Sequence, residues 1–217
     1  MPLALFDIDG TLTASNEIDS ACRAQAFMDV FRFPLNTNWN DYEHVTDRGI
    51  ANEAFRQKHE RDPTEDELSR DRARCVQLLQ QELNELKEIP GAGAFIKQLR
   101  NREWRVALCT GAWGDSAMLK LARAGLPTDL PLASCDQDIS RKAILSRGIE
   151  LAGGRRREAV VSFGDALWDV SAAGLLHLPF IGIGEGAETL RRSGAAEVFK
   201  DYLDADAVFA AIDRVTA

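Results

Sequence analysis

An apolar segment that ends in two aspartates constrains the fold of this chain more than any other feature. Leu3–Phe6 is a continuous apolar run, and a run of this length is typical of a strand buried on both faces of a parallel sheet. Asp7 and Asp9 follow it directly. Because alternate residues of a strand point to the same side, we expect the two carboxylates to lie together beyond the strand. Neighbouring carboxylates repel each other, so the pair indicates a hard cation with oxygen ligands, such as Mg²⁺.

The rest of the chain changes from a helical pattern to alternating strands and helices. Residues 15–88 show helical periodicity without a strand pattern, and Thr64 with Glu67 forms a capping-box pattern. Strand patterns alternate with helices after this segment, at 105–109, 130–134, 158–163 and 179–183. Such alternation predicts a parallel sheet with helices on both faces. We therefore predict an α/β fold, with a Rossmann-like doubly wound core of residues 1–14 and 89–217 and an inserted α-helical cap domain of residues 15–88.

Polar residues follow three of the predicted strands. Asp7 and Asp9 follow the first strand, Thr110 follows the strand at 105–109, and Asp165 follows a later one. Ligands of open α/β sheets bind beyond the carboxyl ends of the strands, so these residues predict one site at one edge of the sheet. The cap is expected to enter and leave the core beside this edge, which suggests a lid.

The composition limits the kinds of molecule that this protein is expected to bind. The formal net charge is −8, which makes a nucleic acid or a membrane surface a poor partner, and no apolar run reaches the ~20 residues of a membrane helix. The N-terminus lacks a basic segment before its apolar run, so a signal peptide is not expected. Arg155, Arg156 and Arg157 are expected in a solvated loop. We predict a cytoplasmic monomer or homodimer, with reduced thiols at Cys22, Cys75, Cys109 and Cys135.

Four segments, taken in order, resemble the motifs of the haloacid dehalogenase superfamily. They are Asp7-Ile8-Asp9-Gly10-Thr11-Leu12-Thr13, then Cys109-Thr110-Gly111, then a basic position at Lys142, and finally Gly164-Asp165-Ala166-Leu167-Trp168-Asp169. Ala143 stands where the family often has a proline after the basic residue. The helical segment after the first motif, followed by Ile89-Pro90-Gly91, is similar to the phosphoglycolate phosphatase and β-phosphoglucomutase branch.

The resemblance implies a Mg²⁺-dependent phosphatase that hydrolyses a small phosphorylated metabolite through an aspartyl-phosphate. Asp7 would attack phosphorus, and Asp9 would protonate the leaving group and later take a proton from water. The phosphoryl oxygens would be held by Thr110, Gly111 and Lys142, and the metal by Asp7, Asp165, Asp169 and the backbone carbonyl of Asp9.

Other functions stay open at this stage. A phosphomutase of the β-phosphoglucomutase type and a non-catalytic protein that binds a phosphorylated ligand would both use the same fold. Dehalogenases and phosphonatases lack an acid at the position of Asp9, and an acid there suits an alkoxide leaving group. Candidates for contacting that leaving group are the cap residues His44, Thr46, Asp47 and Arg48, which also fit the start of a capped, solvated helix.

Overall fold

The structure, a computed structural model, describes residues 1–154 and 158–216. The three arginines expected in a loop, at 155–157, lie outside these residues. The strands are β1 Leu3–Phe6, β2 Arg105–Cys109, β3 Leu132–Ala133, β4 Val160–Gly164, β5 Phe180–Ile183 and β6 Glu197–Phe199. All pairs are parallel, in the order β3-β2-β1-β4-β5-β6, so the predicted α/β fold with a parallel sheet is confirmed.

Helices account for most of the remaining chain. They are α1 Asn16–Phe31, α2 Asp47–His59, α3 Glu65–Glu82, α4 Ala92–Asn101, α5 Gly114–Arg123, α6 Arg141–Leu151, α7 Leu167–Leu175, α8 Ala187–Arg192 and α9 Ala205–Thr216. The predicted capping box starts α3: the Thr64 hydroxyl accepts from the Glu67 N–H at 3.2 Å, and the Glu67 carboxylate accepts from the Thr64 N–H at 2.7 Å. Among the described residues, no helix combines the length and the apolar character that a membrane span needs.

Strand β1 lies at the centre of the sheet and is buried on both faces. All four of its residues are fully buried, and alternate residues enter different apolar clusters. Ala4 and Phe6 pack with α4 and α9, whereas Leu3 and Leu5 pack with α6 and α7. Phe6 also stacks on Phe163 of β4, with ring centroids 4.5 Å apart. This packing explains the continuous apolar run and places the end of β1 in the middle of one sheet edge.

Helices α1, α2 and α3 form a layer of their own against the sheet domain. Phe27 of α1 and Phe55 of α2 share an apolar cluster with Trp113 and Cys135, which follow β2 and β3. The two chain segments that lead into and out of this layer lie side by side, because the Ala14 N–H donates to the Lys87 carbonyl at 3.0 Å. The division of the chain into a core domain and a cap of residues 15–88 stays a prediction.

Candidate active site

Three carboxylates meet where β1 and β4 end. One oxygen each of Asp7, Asp165 and Asp169 lies within 4.8 Å of the others. Asp7 and Asp165 are brought together because β1 and β4 are neighbouring parallel strands, and Asp169 joins them from the first turn of α7. Gly10 permits this approach: its φ is +75°, and a Cβ there would lie 2.1 Å from a carboxylate oxygen of Asp165.

Burial and mutual repulsion disfavour the charged forms of these three acids. The pKa of Asp7 rises to about 7, mainly through burial and then through Asp169, while Arg141 opposes the rise. Burial, with the charge of Asp7, raises the pKa of Asp165 to about 7. The pKa of Asp169 rises to about 6, again mainly through burial. A hard divalent cation would relieve the repulsion between the three carboxylates and takes oxygen ligands, so the residues fit the expected Mg²⁺.

Arg141, the first residue of α6, supplies the positive charge beside Asp7. Its Nη1 donates to Asp7 Oδ1 at 2.8 Å and lies 3.2 Å from Asp169 Oδ1, while its Nε donates to the Val45 carbonyl at 3.0 Å. Lys142 is exposed and lines a separate cavity on the outer side of α6. Successive helix residues are turned by about 100°, so only one of these two neighbours can face the site. We therefore correct the predicted basic residue from Lys142 to Arg141.

Thr110 and Gly111 lie at the same sheet edge, where β2 ends. Thr110 is buried, and its hydroxyl accepts from the Ala112 N–H at 3.1 Å. Gly111 lines the same cavity as Asp7, and a Cβ at this glycine would lie 2.8 Å from the Arg141 guanidinium. The absence of a side chain at Gly111 therefore lets Arg141 reach Asp7.

Asp9 has different side-chain partners from the other acids. Its Oδ2 accepts from Lys120 Nζ at 2.6 Å, and its Oδ1 accepts from the Ser15 hydroxyl at 2.5 Å. Lys120 is fully buried on α5 and also donates to Asp19 of α1 at 2.7 Å. Burial by itself lowers the pKa of Lys120, but the two carboxylates outweigh it and hold that pKa above its ordinary value. Lys120 thus fixes the Asp9 side chain and links α5 to α1.

Lys120 is a residue that the sequence analysis missed. A signal was available, because Lys120 falls between Ala117 and Leu121 on the apolar face of α5. A lysine on such a face is expected to be buried only when acidic partners meet it.

We expect Lys120→Met to lower the free energy of unfolding by about 3–5 kcal/mol, because it leaves the partly buried carboxylates of Asp9 and Asp19 without their cation. Urea denaturation followed by circular dichroism measures this loss. Lys142→Met is the matched control: that lysine is exposed, and its replacement should change stability by about 0.5 kcal/mol or less. Equal effects of the two substitutions would contradict the role of Lys120.

A cavity of about 690 Å³ opens above the carboxylates. Its floor includes Asp7, Asp165 and Arg141, and its opposite wall comes from α1, from the start of α2 and from the segment between them. Asn16, the first residue of α1, reaches the floor and donates from its amide to Asp165 Oδ2 at 2.8 Å. Nothing in the sequence pattern distinguished Asn16 from other helix-starting residues.

The four predicted cap residues separate into two pairs. Thr46 and Asp47 line the cavity, whereas His44 and Arg48 do not. Asp47 Oδ2 accepts from the Trp113 N–H at 3.0 Å, and the Thr46 hydroxyl caps α2 by accepting from the Gly49 N–H at 3.1 Å. Arg48 instead forms an ion pair with Glu65 of α3. The prediction that His44 and Arg48 contact the leaving group is therefore wrong, since neither lines the cavity. The start of α2 turns Thr46 and Asp47 toward the core and Arg48 toward α3.

Comparisons with known proteins show the family of this chain and proteins of similar fold. A family model described as haloacid dehalogenase-like hydrolase matches residues 1–176. No curated protein matches the sequence. A hydrolase from Pseudomonas syringae has a similar structure, with a TM-score of 0.78, 21% sequence identity and coverage of 100% of both chains.

Two further similar structures bear more specific names. A protein provisionally named beta-phosphoglucomutase from Bacteroides vulgatus has a TM-score of 0.76 at 16% identity, covering 100% of this chain and 90% of that one. A predicted phosphoglycolate phosphatase from Haemophilus somnus has a TM-score of 0.68 at 18% identity, covering 96% of this chain and 98% of the other. At these identities the likeness shows the fold alone.

Proposed function

Because the chain belongs to the haloacid dehalogenase-like hydrolases, we propose that it is a Mg²⁺-dependent phosphatase that hydrolyses a small-molecule phosphate monoester. The observation that carries the proposal is the arrangement around Asp7. This carboxylate lies at the end of the central strand, within 4.8 Å of two further acids and 2.8 Å from a guanidinium. The proposed nucleophile, the proposed cation site and a positive charge for the phosphoryl oxygens would therefore meet at one point.

The proposed reaction has two steps. Asp7 attacks phosphorus, the bond from phosphorus to the ester oxygen breaks, and an aspartyl-phosphate forms while Asp9 gives a proton to the departing alkoxide. Water then attacks the phosphorus, Asp9 takes its proton, and Asp7 is restored as inorganic phosphate leaves. Thr110, Gly111 and Arg141 are proposed to hold the phosphoryl oxygens.

The proposed metal site uses Asp7, Asp165, Asp169 and the backbone carbonyl of Asp9. Bound Mg²⁺ would neutralise the crowded carboxylates and offset the charge of the phosphoryl oxygens. The helices of residues 15–88 are proposed to act as a cap that closes over the cavity and excludes water during the first step. Cytoplasmic location and a monomeric or homodimeric state stay predictions.

Turnover of phosphate monoesters in the presence of Mg²⁺ or EDTA tests the function directly. We expect hydrolysis of p-nitrophenyl phosphate with Mg²⁺ and its loss with EDTA. Hydrolysis that is indifferent to EDTA would contradict the metal assignment. If no ester is hydrolysed but phosphate esters bind, the chain is a non-catalytic binding protein. Transfer of the phosphoryl group from the enzyme to a sugar hydroxyl rather than to water would indicate a phosphomutase.

We expect Mg²⁺ to raise the melting temperature more at pH 8 than at pH 6. Without a cation, Asp7 and Asp165, with pKa values of about 7, are mainly protonated at pH 6 and mainly charged at pH 8. Because these pKa values are raised on folding, their contribution to stability is present at low pH and is lost as the pH rises through 7. A cation that binds the charged form reverses this loss, whereas protons compete with it at pH 6.

Thermal melts with Mg²⁺ and with EDTA at the two pH values, at matched ionic strength, measure this difference. Asp165→Asn removes one proposed ligand and should shrink the shift at pH 8. Shifts of equal size at both pH values would contradict a metal site made of these carboxylates.

We expect Arg141→Ala to lower kcat/KM for p-nitrophenyl phosphate by roughly 10- to 150-fold, the equivalent of a charge-assisted hydrogen bond of about 1.5–3 kcal/mol. Steady-state kinetics measures the change. The neighbouring substitution Lys142→Ala serves as control, because that side chain lies outside the cavity. A larger loss in Lys142→Ala than in Arg141→Ala would restore the original assignment of Lys142.

A further inference from the structure

Acidic side chains outnumber basic ones in the cavity above the proposed phosphate site. Of the described residues, six with carboxylates and two with guanidiniums line it, so even one bound divalent cation leaves the carboxylates in excess. Three of the acids, Glu17, Asp19 and Asp47, belong to the wall that faces the leaving group. Arg141 and the proposed cation would bind a dianionic phosphoryl group on the floor of the cavity. A second anionic group on the same substrate would lie against this wall.

The two guanidiniums that line the cavity are already paired. Arg141 is held by Asp7 and Asp169. Arg23 is the positively charged residue of the wall, and its side chain is only 2% exposed. Its Nη1 lies 2.8 Å from Asp71 Oδ1 and its Nε 3.4 Å from Asp47 Oδ1.

A further cation, which binds two acids of the cavity, is also occupied. Lys120 is fully buried between Asp9 and Asp19. A carboxylate or second phosphate on the leaving group would therefore lose its hydration without gaining a free cation, which is an unfavourable exchange.

The same wall offers partners for uncharged and positively charged groups. Glu17 is exposed at the start of α1 and forms no ion pair or hydrogen bond within the described part of the chain. Trp39 lines the cavity, donating from its indole N–H to the Ser20 hydroxyl at 3.3 Å, and Asn40 follows it. A free carboxylate and an amide bind hydroxyl or ammonium groups, and an indole face attracts cations and the apolar faces of hydroxylated carbon chains.

We propose that the leaving group of the substrate is a hydroxylated or amino-bearing alcohol without a carboxylate or second phosphate. The inference rests on the proposed phosphatase function and defines its substrate class. It also separates this chain from the activity in the name of one similar structure, because phosphoglycolate has a carboxylate beside its phosphate.

Three esters with the same two-carbon skeleton test the proposal. They are 2-hydroxyethyl phosphate, 2-aminoethyl phosphate and 2-phosphoglycolate, which differ in the charge of the leaving group. We expect kcat/KM for 2-phosphoglycolate to be lower than for the other two by about tenfold or more, which corresponds to about 1.4 kcal/mol. A larger pair, glucose 6-phosphate and glucose 1,6-bisphosphate, should show the same preference for the ester without the second phosphate.

Charge reversal at Glu17 tests whether the wall causes the preference. Glu17→Lys should raise the ratio of kcat/KM for 2-phosphoglycolate over 2-hydroxyethyl phosphate by about threefold or more, because it supplies the missing free cation. Asp206→Lys is the matched control: Asp206 is an exposed acid in the first turn of α9, outside the cavity, and its replacement makes the same change in net charge. This control should leave the ratio unchanged.

The outcomes separate failure of this inference from failure of the proposed function. Hydrolysis of 2-phosphoglycolate or glucose 1,6-bisphosphate as fast as its partner ester would overturn the inference and leave the phosphatase function intact. An unchanged ratio in Glu17→Lys would overturn the role of the wall. No hydrolysis of any of these esters or of p-nitrophenyl phosphate would overturn the phosphatase function itself, and with it the inference.

Discussion

Asp7→Asn is expected to lower kcat for p-nitrophenyl phosphate by about 10⁴-fold or more, because an amide cannot act as the nucleophile that forms the acyl phosphate. The substitution also removes one charge from the proposed cation site. The fold should persist, and stability at pH 8 without metal should not fall. Burial, followed by the charges of Asp169 and Asp9, raises the pKa of Asp7, so its charge is unfavourable in the folded protein.

Three measurements separate loss of the nucleophile from general damage. Steady-state kinetics gives kcat, and acid quenching with a radiolabelled ester traps phosphoenzyme in the wild type but not in Asp7→Asn. Urea denaturation at pH 8 checks that the variant is folded. Asp206→Asn, an exposed acid outside the cavity, is the control and should retain full turnover. Near-normal turnover or a trapped phosphoenzyme in Asp7→Asn would show that another residue is the nucleophile.

Asp9→Asn is expected to slow hydrolysis of an alkyl phosphate by about 10²–10⁴-fold and to have a much smaller effect on p-nitrophenyl phosphate. An alkoxide needs a proton as it leaves, whereas p-nitrophenolate is stable as an anion. Lys120 and Ser15 hold the Asp9 carboxylate in one position beside the cavity. Asp19 still pairs with Lys120 in the variant, so the buried cation keeps one partner.

The ratio of the two losses is the informative quantity, measured as kcat/KM for 2-hydroxyethyl phosphate and for p-nitrophenyl phosphate. Asp19→Asn is a close control, because it removes the other carboxylate bound to Lys120 without removing the proposed acid. It should alter both esters by similar factors. Equal losses on both esters in Asp9→Asn would contradict its role as general acid.

Much of the core and of its acidic cluster was predictable because the signals are local. The apolar run Leu3–Phe6 requires a strand that is covered on both faces, and the structure places that strand at the centre of the sheet. The ends of neighbouring parallel strands meet at one edge whatever the details of packing. Asp7 and Asp165 therefore came together as expected, with Asp169 beside them.

The identity of the basic residues depended on tertiary structure. Arg141 and Lys142 are adjacent, and the packing of α6 against the sheet, rather than any local pattern, decides which of them faces Asp7. Lys120 acquired its partners because the tertiary fold brings Asp19 of α1 to it from far along the sequence.

The positions of the cap residues also depended on tertiary structure. The amino-acid pattern around α2 predicted its start, but its orientation on the core decides that Asp47 lines the cavity and that Arg48 pairs with Glu65. Among the described residues, local sequence predicted every strand except β6, and it predicted where acids follow a strand, because backbone propensity and apolar periodicity act over a few residues. The rotation of each helix about its axis, and thus the charges that line the cavity, was decided by contacts between residues distant in sequence.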